Sequence, residues 1–118
     1  MTDNVADLTR DTFDELVRRS GRPAVIDFWG PQCAPCLALA PTFHRLADEH
    51  GADIDFLRVE APKNRMLCVD LRVMSLPTFL YLEGGTEQAR LDGDISDAGL
   101  ADWIKGLNTE QKGVLEDA

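Results

Sequence analysis

Ala24-Val25-Ile26-Asp27-Phe28-Trp29-Gly30-Pro31-Gln32-Cys33-Ala34-Pro35-Cys36 decides the reading of this chain. Five of its first six residues are apolar, which predicts a buried strand over 24–29. The residues after it show the 3.6-residue periodicity of a helix. That helix should run from about Ala34 to His50, with Cys36, Leu39, Ala40, Phe43, Leu46 and Ala47 facing inward. A C-x-x-C between a buried strand and a helix start is a redox site before anything else. Two thiols on one first helical turn can meet as a disulfide with little backbone change. The first also sits where unpaired N–H groups and the helix dipole favour a thiolate.

Working outward, Asp11 is a candidate cap for a first helix carrying Phe13, Leu16 and Val17, ended by Ser20-Gly21-Arg22-Pro23. Pro41 lies inside the long helix and removes a donor, so a kink is expected there; Gly51 ends the helix. Ile54–Val59 reads as a strand, and Ala61-Pro62 opens a short helical or irregular stretch to about Leu71. Thr78–Leu82 is a third strand, Glu83–Thr86 a turn, and Gln88–Leu91 a shorter strand. Ser96 can cap a last helix with Leu100, Trp103, Ile104 and Leu107 on one face. A strand-helix-strand start followed by a hairpin predicts an α/β domain with a mixed sheet. Residues 1–107 form that domain; residues 108–118 are expected to be a polar, flexible tail.

The 118 residues fit a single domain, and 44% hydrophobic composition can supply its core. The formal charge of -9 argues against nucleic acid or an anionic membrane as partner. No basic, apolar leader is visible and no apolar run approaches the ~20 residues of a membrane span, so the expected location is cytoplasmic. Three cysteines do not make a secreted disulfide framework. Zinc is the competing use of Cys33 and Cys36. It would need further ligands from Cys68, His44 and His50, and both histidines fall on the helix the motif itself begins.

Asp27 interrupts an apolar strand. Burying its charge costs several kcal/mol, so it needs a raised pKa or a partner, unless it faces water from a strand edge. Cys68 reads as a small core residue, with a regulatory or dimer-forming thiol as the alternative. Pro35 stiffens the first helical turn.

The chain resembles the thioredoxin family over Leu8 to Leu107. The marks are Val25–Trp29, Cys33-Ala34-Pro35-Cys36, Pro41, Leu76-Pro77-Thr78, Gly84-Gly85 and Gly93, in order. The resemblance implies a thioredoxin fold, a central mixed sheet flanked by helices on both faces. It implies dithiol–disulfide exchange with Cys33 as nucleophile and Cys36 as resolving thiol, and no bound cofactor. It makes Asp27 the group that assists proton transfer at Cys36. It places Arg58 where the family often carries a lysine beside that carboxylate. Arginine stays charged, so Asp27 should ionise more readily.

The resemblance also implies a cis peptide before Pro77. Trp29, Gln32, Ala34, Pro35, Leu76, Pro77 and Gly93 should line a groove for an extended, disulfide-containing protein substrate. Gly-Pro is the usual pair between the thiols; Ala34 departs from it and should alter the reduction potential. Gln32 stands where a second tryptophan is common and trades apolar rim area for an amide, which implies a narrower partner set. Electrons would come from an upstream thioredoxin reductase or another dithiol donor, and a monomer is expected. A docking or chaperone module without redox turnover is the rival reading; a disulfide-forming enzyme is a third.

Overall fold

A computed structural model describes the backbone of residues 4–117 and the side chains of residues 4–107. Among these, five strands form one mixed sheet in the order β1-β3-β2-β4-β5. They are β1 (Val5–Asp7), β2 (Ala24–Trp29), β3 (Asp55–Glu60), β4 (Thr78–Glu83) and β5 (Thr86–Asp92). β3 pairs in parallel with β1 and β2, while β4 runs antiparallel to both β2 and β5. The helices are α1 (Ala34–His50), α2 (Arg65–Asp70) and α3 (Asp97–Asp117). The expected thioredoxin fold is what the chain adopts.

Strand alternation divides the core between two faces. Ala24, Ile26 and Phe28 of β2 join Leu57, Val59, Leu80 and Leu82 on one face, with Leu67 of α2 and Phe13 and Val17 of the segment before β2. Val25 joins Phe56, Phe79 and Tyr81 on the other, under Leu39, Phe43 and Leu46 of α1 and Leu100 and Ile104 of α3. β2 is buried on both sides, which is why its sequence is apolar at every position but Asp27 rather than alternating. Phe43 anchors the second face, with ring centroids 5.2 Å from Phe56 and 5.7 Å from Phe79. The Thr42 hydroxyl donates to Asp97 at 2.7 Å and ties α1 to the start of α3.

The boundaries of β2 and α1 agree with expectation, and Ser96 caps α3 by accepting from the Gly99 N–H at 2.9 Å. Five details differ. β5 is not the shorter strand expected at Gln88–Leu91: it spans seven residues from Thr86 to Asp92, because its pairing with β4 extends to Glu83 opposite Thr86. β1 was not expected; it is three residues long with one partly buried side chain, too little for periodicity to register. The helix expected after Asp11 is a five-residue π-helical turn, Asp14–Arg18. Asp11 does not cap it; the preceding bend is closed by Thr9 and Thr12, whose hydroxyls each accept from the other's backbone N–H. Gly51 ends α1 in a right-handed conformation, φ -66°, and not as a left-handed cap. A Cβ there would lie 2.5 Å from the Ala47 carbonyl oxygen, so close approach selects the glycine. Finally Ala40 is only partly buried, and Thr42 is buried instead. Pro41 sits on the exposed side of an uninterrupted α1. The assigned helix of α3 continues through residues 108–117; the expectation of a flexible tail over 108–118 lies outside the residues whose side chains are described.

Phe43 is fully buried between two strands and two rings, so truncation leaves a cavity that rigid sheet packing cannot close. Phe43→Ala is expected to lower unfolding free energy by about 3–5 kcal/mol in urea titrations. A loss under about 1 kcal/mol would contradict this packing.

Candidate active site

The sheet registers bring the site together. Phe28 of β2 lies opposite Thr78 of β4, and Thr78 lies opposite Asp92 of β5. The residues just beyond these positions are Trp29-Gly30, Pro77 and Gly93, so three segments far apart in sequence share one end of the sheet. Trp29 pairs with Glu60, which brings Ala61-Pro62 to the same end. The C-x-x-C follows directly, because α1 begins five residues after β2 ends.

Cys33 and Cys36 are disulfide-bonded, with Cα atoms 5.3 Å apart. Cys33 is the N-cap of α1, in extended conformation, and its Sγ accepts from the Cys36 backbone N–H at 3.2 Å. A sulfur thus takes the place usually held by a serine or aspartate oxygen. Pro35 has no N–H to offer and stands in the first turn, so the donor that reaches the sulfur is that of Cys36. The same N–H and the helix dipole would stabilise a Cys33 thiolate once the disulfide is reduced. Cys33 is partly exposed, whereas Cys36 is 1% exposed. Cys33 is therefore the more exposed of the two residues and Cys36 the more buried, the order the resemblance implies for a nucleophile and a resolving thiol.

The strand that leads into the motif carries a charged pair with its neighbour β3. Asp27 is buried in the central strand, which excludes the strand-edge alternative. Asp27 and Arg58 are register partners across β2 and β3, and Arg58 Nε donates to Asp27 Oδ2 at 2.9 Å. The Arg58 guanidinium also lies over the Trp29 ring, 4.4 Å from its centroid. The guanidinium is thus engaged by the carboxylate and by the aromatic ring at once. Asp27 Oδ1 is buried with no hydrogen-bond partner among the described residues. Burial pushes the Asp27 pKa up to about 6, against the opposing pull of Arg58 and, more weakly, of His44. Desolvation therefore outweighs the arginine. The expected aid to ionisation is present, but it only moderates a net rise. A carboxyl of this kind can take up or give back a proton near neutral pH.

The rim follows the expected set in part. Gln32, Ala34 and Pro35 are exposed, Leu76 and Trp29 partly so, and the Leu76–Pro77 peptide is cis. Gly93 is exposed at φ +88°, a conformation that favours glycine. Pro77 itself is buried. Gly30 packs so closely that a Cβ would stand 3.3 Å from Leu76 Cδ1 and 3.6 Å from Pro62 Cδ. A groove of about 370 Å³ runs from this point between Pro62, Cys68, Met74 and Leu76. Met74 is 93% exposed, and neither it nor Pro62 stood out in the sequence; both line this groove beside Leu76. Cys68 is partly buried against the core, where burial raises its thiol pKa. Among the described residues no group of three or more His, Cys, Asp or Glu side chains is placed to hold a metal.

A family profile described as thioredoxin matches residues 4–106. A thioredoxin from Streptomyces clavuligerus is 35% identical over 78 residues, covering 66% of this chain and 72% of that protein. Protein disulfide-isomerase 1 of Caenorhabditis elegans is 32% identical over 107 residues, but the chain spans only 22% of its length. The crystal structure of a Malassezia sympodialis thioredoxin superposes with a TM-score of 0.80 at 22% identity, covering 89% of this chain and 91% of that one.

The raised Asp27 pKa fixes the sign of a pH effect. Between its ordinary value of 3.8 and about 6, the folded chain holds a proton that the unfolded chain has lost. The stability this contributes is complete below about pH 4 and gone above about pH 6. Asp27→Asn, which keeps an acceptor for Arg58, is expected to be more stable than the parent by roughly 3 kcal/mol at pH 7.5. The advantage should vanish toward pH 4. Urea unfolding across this range checks it, and a difference independent of pH would contradict the assignment.

Proposed function

This chain belongs to the thioredoxin family, and from that premise we propose that it is a thiol–disulfide oxidoreductase that reduces disulfides in a limited set of protein partners. The observation that carries the reading is the asymmetric pair: a partly exposed Cys33, its sulfur held by the Cys36 N–H, beside a buried Cys36.

The cycle starts from the dithiol. Cys33 thiolate attacks one sulfur of a partner disulfide; a Cys33–partner disulfide forms and the other partner sulfur leaves as thiolate. Cys36 gives its proton to Asp27 and attacks Cys33 Sγ. The Cys33–Cys36 disulfide forms and the second partner sulfur leaves as thiolate. The protein dithiol has lost two electrons and the partner has gained them. The proton on Asp27 returns to solvent or to a departing thiolate. A dithiol donor, such as a thioredoxin reductase, restores the starting state by the reverse exchange.

A partner segment would lie along Trp29, Gln32, Ala34, Pro35, Leu76, Pro77 and Gly93. The exposed Gln32 amide favours partners that offer polar backbone or side-chain groups at the rim over purely apolar ones. The cytoplasmic setting, the monomeric state and a part in electron transport and redox homeostasis belong to this proposal. Their support is compositional: an acidic chain with too few cysteines for a secreted disulfide framework.

With dithiothreitol as donor, the protein should accelerate insulin reduction at least about tenfold over Cys33→Ser, the range expected when a nucleophile is removed. Cys36→Ser should accumulate partners as mixed disulfides on Cys33, visible as adducts released by reductant. Equal rates for parent and Cys33→Ser would instead favour a docking module.

A further inference from the structure

The segment that carries Met74, Ser75, Leu76 and Pro77 connects α2 to β4, and its start is held from outside. Leu71 ends α2, and Arg72 follows at φ +58°, the left-handed region where a non-glycine side chain is strained. The Val73 N–H donates back to the Cys68 carbonyl at 2.8 Å, which completes the helix end. Two carbonyls at this point receive the same side chain. Arg90 Nη2 donates to Leu71 O at 2.8 Å and Nη1 to Arg72 O at 2.9 Å.

Arg90 is itself fixed by Glu87. Nε donates to Oε2 at 2.9 Å and Nη2 to Oε1 at 2.8 Å, a two-point fork. On a regular strand, residues three apart point to opposite faces. Here the β4–β5 register shifts by one: Tyr81 lies opposite Ala89, but Leu82 lies opposite Glu87. The extra residue, Gln88, reverses the alternation and puts Glu87 and Arg90 on one face, the face of α2. A bulge, an ion pair and two carbonyl contacts therefore converge on the turn that contains the strained Arg72. Beyond it the chain is pinned again: Thr78 Oγ1 donates to Ser75 O at 2.6 Å, and Leu76 abuts Gly30.

We propose that Arg90, oriented by Glu87, is a positioning residue that holds the Leu71–Arg72 turn and so places the Met74–Pro77 segment for partner binding. It touches no reacting atom. It acts by keeping a strained turn in one conformation, which lowers the ordering cost when a partner segment docks. The cation at the end of α2 also meets the helix carbonyls with favourable sign. The functional part of this inference rests on the reading that Leu76 and Pro77 contact the partner.

Arg90→Ala and Arg90→Lys test it, the second because lysine keeps the charge but has three donors at a single point, too few and too compact for the four hydrogen bonds the guanidinium spreads over Leu71, Arg72 and Glu87. Both variants should raise the KM for insulin by about fivefold or more while kcat stays within about twofold, since only binding geometry is disturbed. Turnover of a small aromatic disulfide and the reduction potential of the Cys33–Cys36 couple should not move. Hydrogen exchange at the Arg72 and Val73 amides should accelerate by about tenfold or more. Adding Arg72→Gly, which adopts φ +58° without strain, should recover part of the KM loss. Unchanged KM for insulin in a folded variant overturns the proposal, as does unchanged exchange at both amides. Failure of the parent to reduce insulin counts against the redox reading alone, and the exchange arm still decides whether Arg90 holds the turn.

Discussion

One backbone N–H organises the chemistry. The Cys36 amide donates to the Cys33 sulfur because α1 starts at that sulfur and because Pro35 leaves the first turn a donor short. The helix can only start there if β2 ends at Trp29 and the chain turns through Gly30–Cys33, closed by the Cys33 N–H donating to Gly30 O at 3.1 Å. Gly30 in turn lets the turn pack tightly against Leu76 and Pro62, where a Cβ would press on the Leu76 side chain. The placement of one sulfur thus depends on strand length, turn geometry and the packing of two distant loops.

In the strand that leads to that sulfur the structure accepts an unfavourable group. A carboxyl buried in the central strand costs stability, and Arg58 offsets part of the cost without cancelling it. The arginine is held in turn by Trp29 and by the strand register. The result is a proton acceptor near neutrality, sheltered from water and set in the strand that leads to the cysteines. A more stable core would place an apolar residue at position 27 and lose that capacity.

Much of this was legible in the sequence where a single local signal sufficed. The run Ala24–Trp29 and the periodicity of Ala34–His50 placed β2 and α1 to the residue. Cys33, Cys36 and Asp27 stood out because each is a chemical type out of keeping with its neighbours. What was not legible depends on contacts across the fold. β1 is a strand only because β3 offers it an edge. Asp11 looks like a cap, but Thr9 and Thr12 close that bend. The grip of Arg90 on Leu71 and Arg72 needs a bulge that no residue at Gln88 announces. Met74 and Pro62 line one groove beside Leu76 only through the path of the chain between β3 and β4.

The central claim is that the Cys33 sulfur, once reduced, is a reachable and readily ionised anion. Its most direct test is the pH dependence of alkylation of the reduced protein by iodoacetamide, read residue by residue with mass spectrometry. The account predicts that Cys33 reacts first, with a midpoint below about 7.5, while Cys36 stays protected. A midpoint near the ~8.5 of a free thiol, or equal labelling of both cysteines, would contradict it.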